Sequence, residues 1–235
     1  MKRLMGLRSI ALASCLVATM GGTALAAETE SAIAHGGRLY DKWFSENKAE
    51  KPTADHPAYP VKDGKYGKDA SWRCKECHGW DYRGAGGAYK EGGHATGIKG
   101  IEASAGKDAA SIAAIIRDGT HGYTEAQLSN DDVGALALFV SAGQIDTTRY
   151  IGADGKAIGD GAKGEAYFNT MCAGCHGVDG KKIKDAPLGA VASNGWEMLH
   201  KVLNGQPAEA MPALRALDHQ VSADIVVHLQ SFPKE

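Results

Sequence analysis

Apolar residues recur along this chain with the spacing of α-helices. Ile225, Val226 and Leu229 fall on one face of a helix predicted over 222–232, and the isoleucines of 108–117 form a similar stripe. Residues three or four positions apart share one side of an α-helix. No stretch shows the convincing period of two that is typical of a strand. The pattern therefore predicts an all-α protein.

The same order of elements occurs twice. The segment GRLY at 37–40 resembles GEAY at 164–167, and the apolar pattern over 132–140 resembles that of the last helix. Repetition of this kind indicates two related halves. We predict two helical domains in tandem, the first over 27–155 and the second over 156–235.

The first half carries an additional segment around 45–70. Tyr40 precedes the first cysteine of its half by 34 positions, whereas Tyr167 precedes the corresponding cysteine by 5. Prolines, glycines and charged residues dominate the insertion, which indicates an irregular surface segment. A second stretch, 143–161, is rich in Gly and Asp and is typical of a connector.

The first 26 residues have the pattern of a secretory leader. Three basic residues, Lys2, Arg3 and Arg8, precede a mostly apolar run over 9–20, and a small-x-small cleavage site follows at 24–26. This run is shorter than the ~20 residues that a membrane-spanning helix needs. We expect an exported, periplasmic chain that begins near Ala27 and does not span the membrane. Lipid attachment at Cys15 is an alternative, because 12–15 resembles a lipoprotein signal.

The charge of the chain changes the set of expected partners. Its formal net charge is −2, and removal of the leader, which has three basic and no acidic residues, would lower it to −5. An acidic chain is poorly suited to a polyanion. We therefore expect no nucleic acid as a partner.

The four cysteines after the leader form two copies of one motif, Cys-x-x-Cys-His, at 74–78 and 172–176. In haem attachment each thiol bonds to a vinyl carbon of the porphyrin, and the adjacent histidine ligates the iron. Zinc knuckles, redox-active dithiols and disulfides also use paired cysteines, but none requires a histidine after both pairs. We predict two covalently bound haem c groups. They would be held by Cys74, Cys77, Cys172 and Cys175, with His78 and His176 as proximal iron ligands.

Together these features resemble the class I cytochrome c superfamily in a tandem, two-domain form, over most of residues 30–233. In that family the sixth iron ligand is commonly a methionine in the loop before the last helix, often followed by proline. Met211, followed by Pro212, occupies that position. The resemblance implies that His176 and Met211 are the axial ligands of the second haem. His200, in a helix predicted over 196–203, is the competitor.

The first half offers no methionine for this role, because all six lie in the leader or in the second half. We predict that histidine is the sixth ligand there. His121 is preferred, since it lies in the loop before the helix that matches the last one, and His94, among glycines, is the alternative. His35 and His56 lie in the N-terminal helix and the insertion, where histidines are ordinarily solvated or hydrogen-bonded.

The resemblance implies an electron carrier more than an enzyme. Two haems would pass electrons from a periplasmic dehydrogenase or a membrane-bound quinol oxidase to a terminal acceptor. Thioether ligation would give the second haem the higher potential. The alternatives are a haem oxidoreductase that acts on an inorganic sulfur compound or peroxide, and a small-gas-binding cytochrome. Both require an open distal position at the first haem.

Overall fold

The computed structural model describes residues 15–62 and 64–234, with side chains from residue 28 onward. Within these ranges the chain forms helices and no named strand, so the predicted all-α class is confirmed. The α-helices are α1 (Cys15–Glu46), α2 (Cys74–His78), α3 (Ala109–Ile116), α4 (Asn130–Leu138), α5 (Gly161–Met171), α6 (Ala173–His176), α7 (Leu188–Val191), α8 (Gly195–Asn204) and α9 (His219–Gln230). Short 3-10 turns occupy Lys68–Trp72, Glu102–Ser104 and Thr147–Arg149, and a π-helical turn occupies Phe139–Gly143.

The predicted leader, its cleavage site at 24–26 and the alternative of lipid attachment at Cys15 concern residues or side chains outside this description. They stay predictions. None of the helices in the described ranges is long and apolar enough to cross a membrane.

The helices predicted over 108–117, 132–140, 196–203 and 222–232 correspond to α3, α4, α8 and α9. α9 begins before its predicted start because the side chain of Asp218 caps it, accepting from the Gln220 N–H. Such a cap satisfies one of the backbone donors that a helix start leaves free. The described part of the insertion around 45–70 contains no α-helix after Glu46, as its composition indicates.

In each half the first helix crosses the last helix at a glycine. A Cβ atom on Gly36 of α1 would lie 2.1 Å from the carbonyl oxygen of Ala135 in α4. A Cβ atom on Gly164 of α5 would lie 1.9 Å from the carbonyl oxygen of Asp224 in α9. Backbones approach this closely only where no side chain intervenes. The shared crossing supports the internal repeat, although the sequence comparison pairs Gly164 with Gly37, one position later.

Buried apolar side chains form two clusters. The first lies among α1, α3 and α4 and includes Tyr40 and Phe139, and the second lies among α5, α8 and α9 and includes Phe168. Tyr150, within the predicted connector over 143–161, is already buried in the second cluster. The second core therefore begins slightly before the predicted domain boundary, which stays a prediction.

Helix α8 packs against α1 through buried polar groups. His200 is 1% exposed, donates from Nε2 to the Gly37 carbonyl at 2.9 Å and accepts from the Tyr82 hydroxyl at Nδ1, 3.0 Å away. Burial lowers the pKa of His200 to about 4, so the ring is neutral at neutral pH. Because both ring nitrogens are occupied, His200 serves to join the halves and does not compete as an iron ligand.

A buried ion cluster reinforces the same junction. Asp41 of α1 is 1% exposed and bonds to Lys201 of α8, with Nζ to Oδ2 at 2.6 Å, and to Arg73. Burial alone would raise the pKa of the Asp41 carboxyl, but the charges of Lys201 and Arg73 outweigh burial and lower it to about 2. The carboxylate therefore contributes stability above its unfolded pKa of about 3.9, which is lost as the pH falls toward 2.

We predict that Asp41→Asn lowers the free energy of unfolding by about 3 kcal/mol at pH 7, because it removes the buried carboxylate that pairs with both Lys201 and Arg73. Urea unfolding followed by circular dichroism measures this loss. The deficit should shrink as the pH is lowered from 4 toward 2, where the wild-type carboxyl takes up its proton. Glu102→Gln, which removes an exposed partner of Arg83, is the control. A deficit no larger than that of the control would contradict the prediction.

Candidate haem sites

The first Cys-x-x-Cys-His motif is one helical turn, α2, fixed at both ends by hydrogen bonds. The Trp72 carbonyl accepts from Trp43 Nε1 at 3.0 Å and from the Tyr123 hydroxyl at 2.7 Å. The Gly79 carbonyl accepts from the Tyr40 hydroxyl at 2.7 Å. Gly79 has φ +82°, a value that favours glycine, and it ends α2 directly after the histidine. Core aromatic residues thus hold the motif in place.

The four cysteines of the two motifs are free thiols. Burial raises the pKa of Cys74 to about 12 and that of Cys77 to about 11, so both thiols are protonated at neutral pH. Zinc ligation and redox-active dithiols need thiolates. No group of three or more potential metal-binding residues is clustered within the described ranges. The environment of the first pair is therefore unfavourable for either alternative.

The His78 ring is oriented by the backbone. Its Nδ1 donates to the Lys99 carbonyl at 2.8 Å, which leaves Nε2 free to bind a metal. Burial lowers the pKa of His78, which favours the neutral ring that an iron ligand requires.

The ring of His121 lies close to that of His78. The ring centroids of His78 and His121 lie 6.2 Å apart, with the ring planes inclined by 30°. Metal–nitrogen bonds of about 2 Å and an imidazole radius of about 1.1 Å place two rings about 6 Å apart across one metal ion. The observed separation is therefore suited to one iron with His78 and His121 as its axial ligands.

Three contacts hold His121 in this position. Asp118 Oδ1 accepts from the His121 backbone N–H at 3.0 Å and from its Nδ1 at 3.3 Å. His56 Nε2, in the insertion, donates to the His121 carbonyl at 2.9 Å. These contacts leave Nε2 of His121 free. The parts played by Asp118 and His56 were not predicted from the sequence. An aspartate three positions before a histidine in a glycine-containing turn could have indicated the first.

His94, the alternative ligand, has other partners. Its ring stacks between Tyr66, at 3.8 Å between centroids, and Tyr89, at 4.6 Å. Its Nδ1 donates to the buried Glu76 carboxylate at 2.7 Å. The geometry favours His121 over His94, and the ligand assignment stays a prediction. His35 likewise bonds to two carboxylates, those of Glu46 and Asp132.

The second motif repeats the local geometry of the first. Gly177 follows His176 with φ +79° and ψ 155°, and Gly79 follows His78 with φ +82° and ψ 156°. Unlike His78, His176 has a buried Nδ1 without a hydrogen-bond partner. The same backbone turn thus places a histidine behind each pair of cysteines.

Met211 lies in the loop between α8 and α9. Its half-buried side chain packs against the second cluster, as does that of Cys172. Val178 and Ile183, which follow the second motif, are 75% and 44% exposed. Large apolar side chains left uncovered beside two free thiols fit a site for an apolar, covalently attached macrocycle. The position of Met211 agrees with its predicted role, which stays a prediction.

Comparison with known families bears on the second half. Residues 159–229 match the family model described as cytochrome C oxidase, cbb3-type, subunit III. The matched segment contains Cys172, Cys175, His176 and Met211, and it supports a cytochrome c domain with covalently bound haem c and a role in electron transfer. No curated protein and no solved structure matches the chain.

We predict that His121→Ala makes the first haem reactive toward carbon monoxide, because removal of the distal imidazole opens an axial position. The visible spectrum of the dithionite-reduced protein, with and without carbon monoxide, measures this. About half of the haem absorbance should shift in the variant, and none in the wild type. His94→Ala is the matched control and should resemble the wild type. A shift in the His94 variant alone would assign the ligand to His94.

Proposed function

We propose that this chain is a dihaem c-type cytochrome that carries electrons in the periplasm, between a dehydrogenase or quinol oxidase and a terminal acceptor. The observation that carries the proposal is the pair of imidazoles, His78 and His121, 6.2 Å apart beside two free thiols. The family match supports haem c in the second half, and this pair of imidazoles is the reason for proposing haem c in the first half as well.

Each site would be formed by residues of its own half. The first haem would bind Cys74 and Cys77, with His78 and His121 as axial ligands, and the second would bind Cys172 and Cys175, with His176 and Met211 as axial ligands. When bound, each haem supplies a reversible one-electron couple. The chain's own contribution is to tether the macrocycle and, in the first half, to orient the imidazoles through Lys99 and Asp118.

Filled axial positions favour a carrier over an enzyme. A haem that acts on a sulfur compound or peroxide, or that binds a small gas, needs a vacant or readily displaced ligand. The bond from its Nδ1 to Asp118 orients the His121 ring, and the bonds from its backbone N–H to Asp118 and from His56 to its carbonyl hold the loop that carries it. The alternatives therefore require more rearrangement than electron transfer does.

The axial ligands predict unequal potentials. Thioether ligation raises a haem potential relative to two imidazoles, within the ~0.8 V range that axial ligands produce. A spectroscopic redox titration should resolve two reversible one-electron steps. Met211→His should lower the upper midpoint by more than about 100 mV and leave the lower one in place. His219→Ala, at the start of α9, is the control.

Turnover separates the proposal from its alternatives. Both haems should cycle reversibly with small redox proteins, without catalytic consumption of thiosulfate or peroxide. Steady turnover of either substrate would contradict the carrier role and favour an oxidoreductase. Carbon monoxide binding to the wild-type protein would favour a gas-binding cytochrome.

A further inference from the structure

The loop that carries Met211 in the second half is held by a side chain of the first half. Glu46, the last residue of α1, accepts a hydrogen bond at Oε2 from the backbone N–H of Ala208, 3.0 Å away. Ala208 lies three positions before Met211 in the loop between α8 and α9. A residue 162 positions distant in sequence thus contacts this loop directly.

Glu46 is itself rigidly placed. Its side chain is 11% exposed, and its Oε1 accepts from Arg38 Nε at 2.7 Å and from His35 Nδ1 at 3.0 Å. Burial alone would raise the pKa of Glu46, but hydrogen bonds from His35, Ala208 and Arg38 lower it to about 2. Glu46 is therefore a fixed, ionised acceptor across the neutral pH range.

The same network holds the start of the loop. Arg38, which bonds to Glu46, also donates from Nη1 to the carbonyl of Asn204 at 3.0 Å. Asn204 is the last residue of α8, where the loop begins. Arg38 and Glu46 of α1 therefore contact the loop at two points before Met211.

The backbone of the loop follows an unusual path between these points. Ala208 has φ +64°, in the left-handed region that residues with a side chain rarely adopt. Gly205 has φ +88°, and a Cβ atom there would lie 2.7 Å from the Met211 carbonyl oxygen. A strained conformation persists only where surrounding contacts maintain it. The Glu46 carboxylate supplies such a contact at Ala208.

We propose that Glu46 of the first half is a positioning residue for Met211, and that it sets how firmly Met211 binds the iron of the second haem. The inference rests on the proposed function, in which Met211 is an axial ligand. It makes the ligation of one haem dependent on the domain that carries the other.

The test uses the full chain with its haems attached. Ligation of ferric haem by methionine gives a weak far-red charge-transfer band, which disappears as rising pH displaces the methionine. Glu46→Ala removes a charge-assisted hydrogen bond, so Met211 should be held about tenfold less tightly. The pH midpoint for loss of the band should fall by about one unit, while the carbon monoxide response stays absent.

Two further variants separate positioning from general stability. Glu46→Gln keeps an oxygen that can accept from Ala208 and should restore most of the midpoint. Glu46→Asp keeps the charge beside Arg38 but is one methylene too short to reach Ala208, so its midpoint should resemble that of Glu46→Ala. If the alanine variant does not fold, Glu46→Asp alone tests the positioning role. Glu102→Ala, an exposed ion-pair carboxylate of the first half, should leave the midpoint unchanged.

The outcomes distinguish this inference from the proposed function. A midpoint in Glu46→Ala and Glu46→Asp equal to that of the wild type overturns the positioning role of Glu46. A wild-type protein that lacks the far-red band overturns ligation by Met211, and with it the premise of the inference.

Discussion

Two imidazole rings can bind one metal ion from opposite sides only if the polypeptide holds them the right distance apart, and His78 and His121 meet that condition. His78 is fixed by the Lys99 carbonyl, and His121 by Asp118 and His56. The insertion in the first half has a structural purpose in this arrangement, because it supplies His56.

The junction between the halves consists mainly of buried polar groups. His200 uses both ring nitrogens across it, Asp41 is enclosed by Arg73 and Lys201, and Glu46 reaches the loop before Met211. Burial of a polar group is unfavourable unless its hydrogen bonds are satisfied. These groups are satisfied only when the two halves are packed in one relative orientation. The two candidate haem sites are therefore held in a fixed relation.

Much of this arrangement could be predicted from local sequence patterns. Apolar spacing and the resemblance between the halves predicted the four helices, and the repeated motif indicated the two candidate proximal histidines. The contacts that join distant segments could not be predicted. Nothing near His200 indicates that its partners are Gly37 and Tyr82, and the closeness of Gly36 to Ala135 depends on how two helices cross. Such pairings depend on tertiary packing, so they cannot be predicted from a short segment of the sequence.

The choice between His121 and His94 illustrates the same limit. Both histidines lie in polar, glycine-containing segments after the first motif, and both suit an axial ligand by residue type. Tertiary structure separates them, because His94 contacts Tyr66, Tyr89 and Glu76, whereas the ring of His121 lies 6.2 Å from that of His78.

Haem stoichiometry is the most direct test of the central claim. Intact mass spectrometry of the purified, denatured protein reports only groups that are covalently attached. We predict a mass greater than that of the polypeptide by two haem groups, with peptide mapping that places one on 74–78 and one on 172–176. A single haem on 172–176, with free thiols at Cys74 and Cys77, would contradict the dihaem assignment.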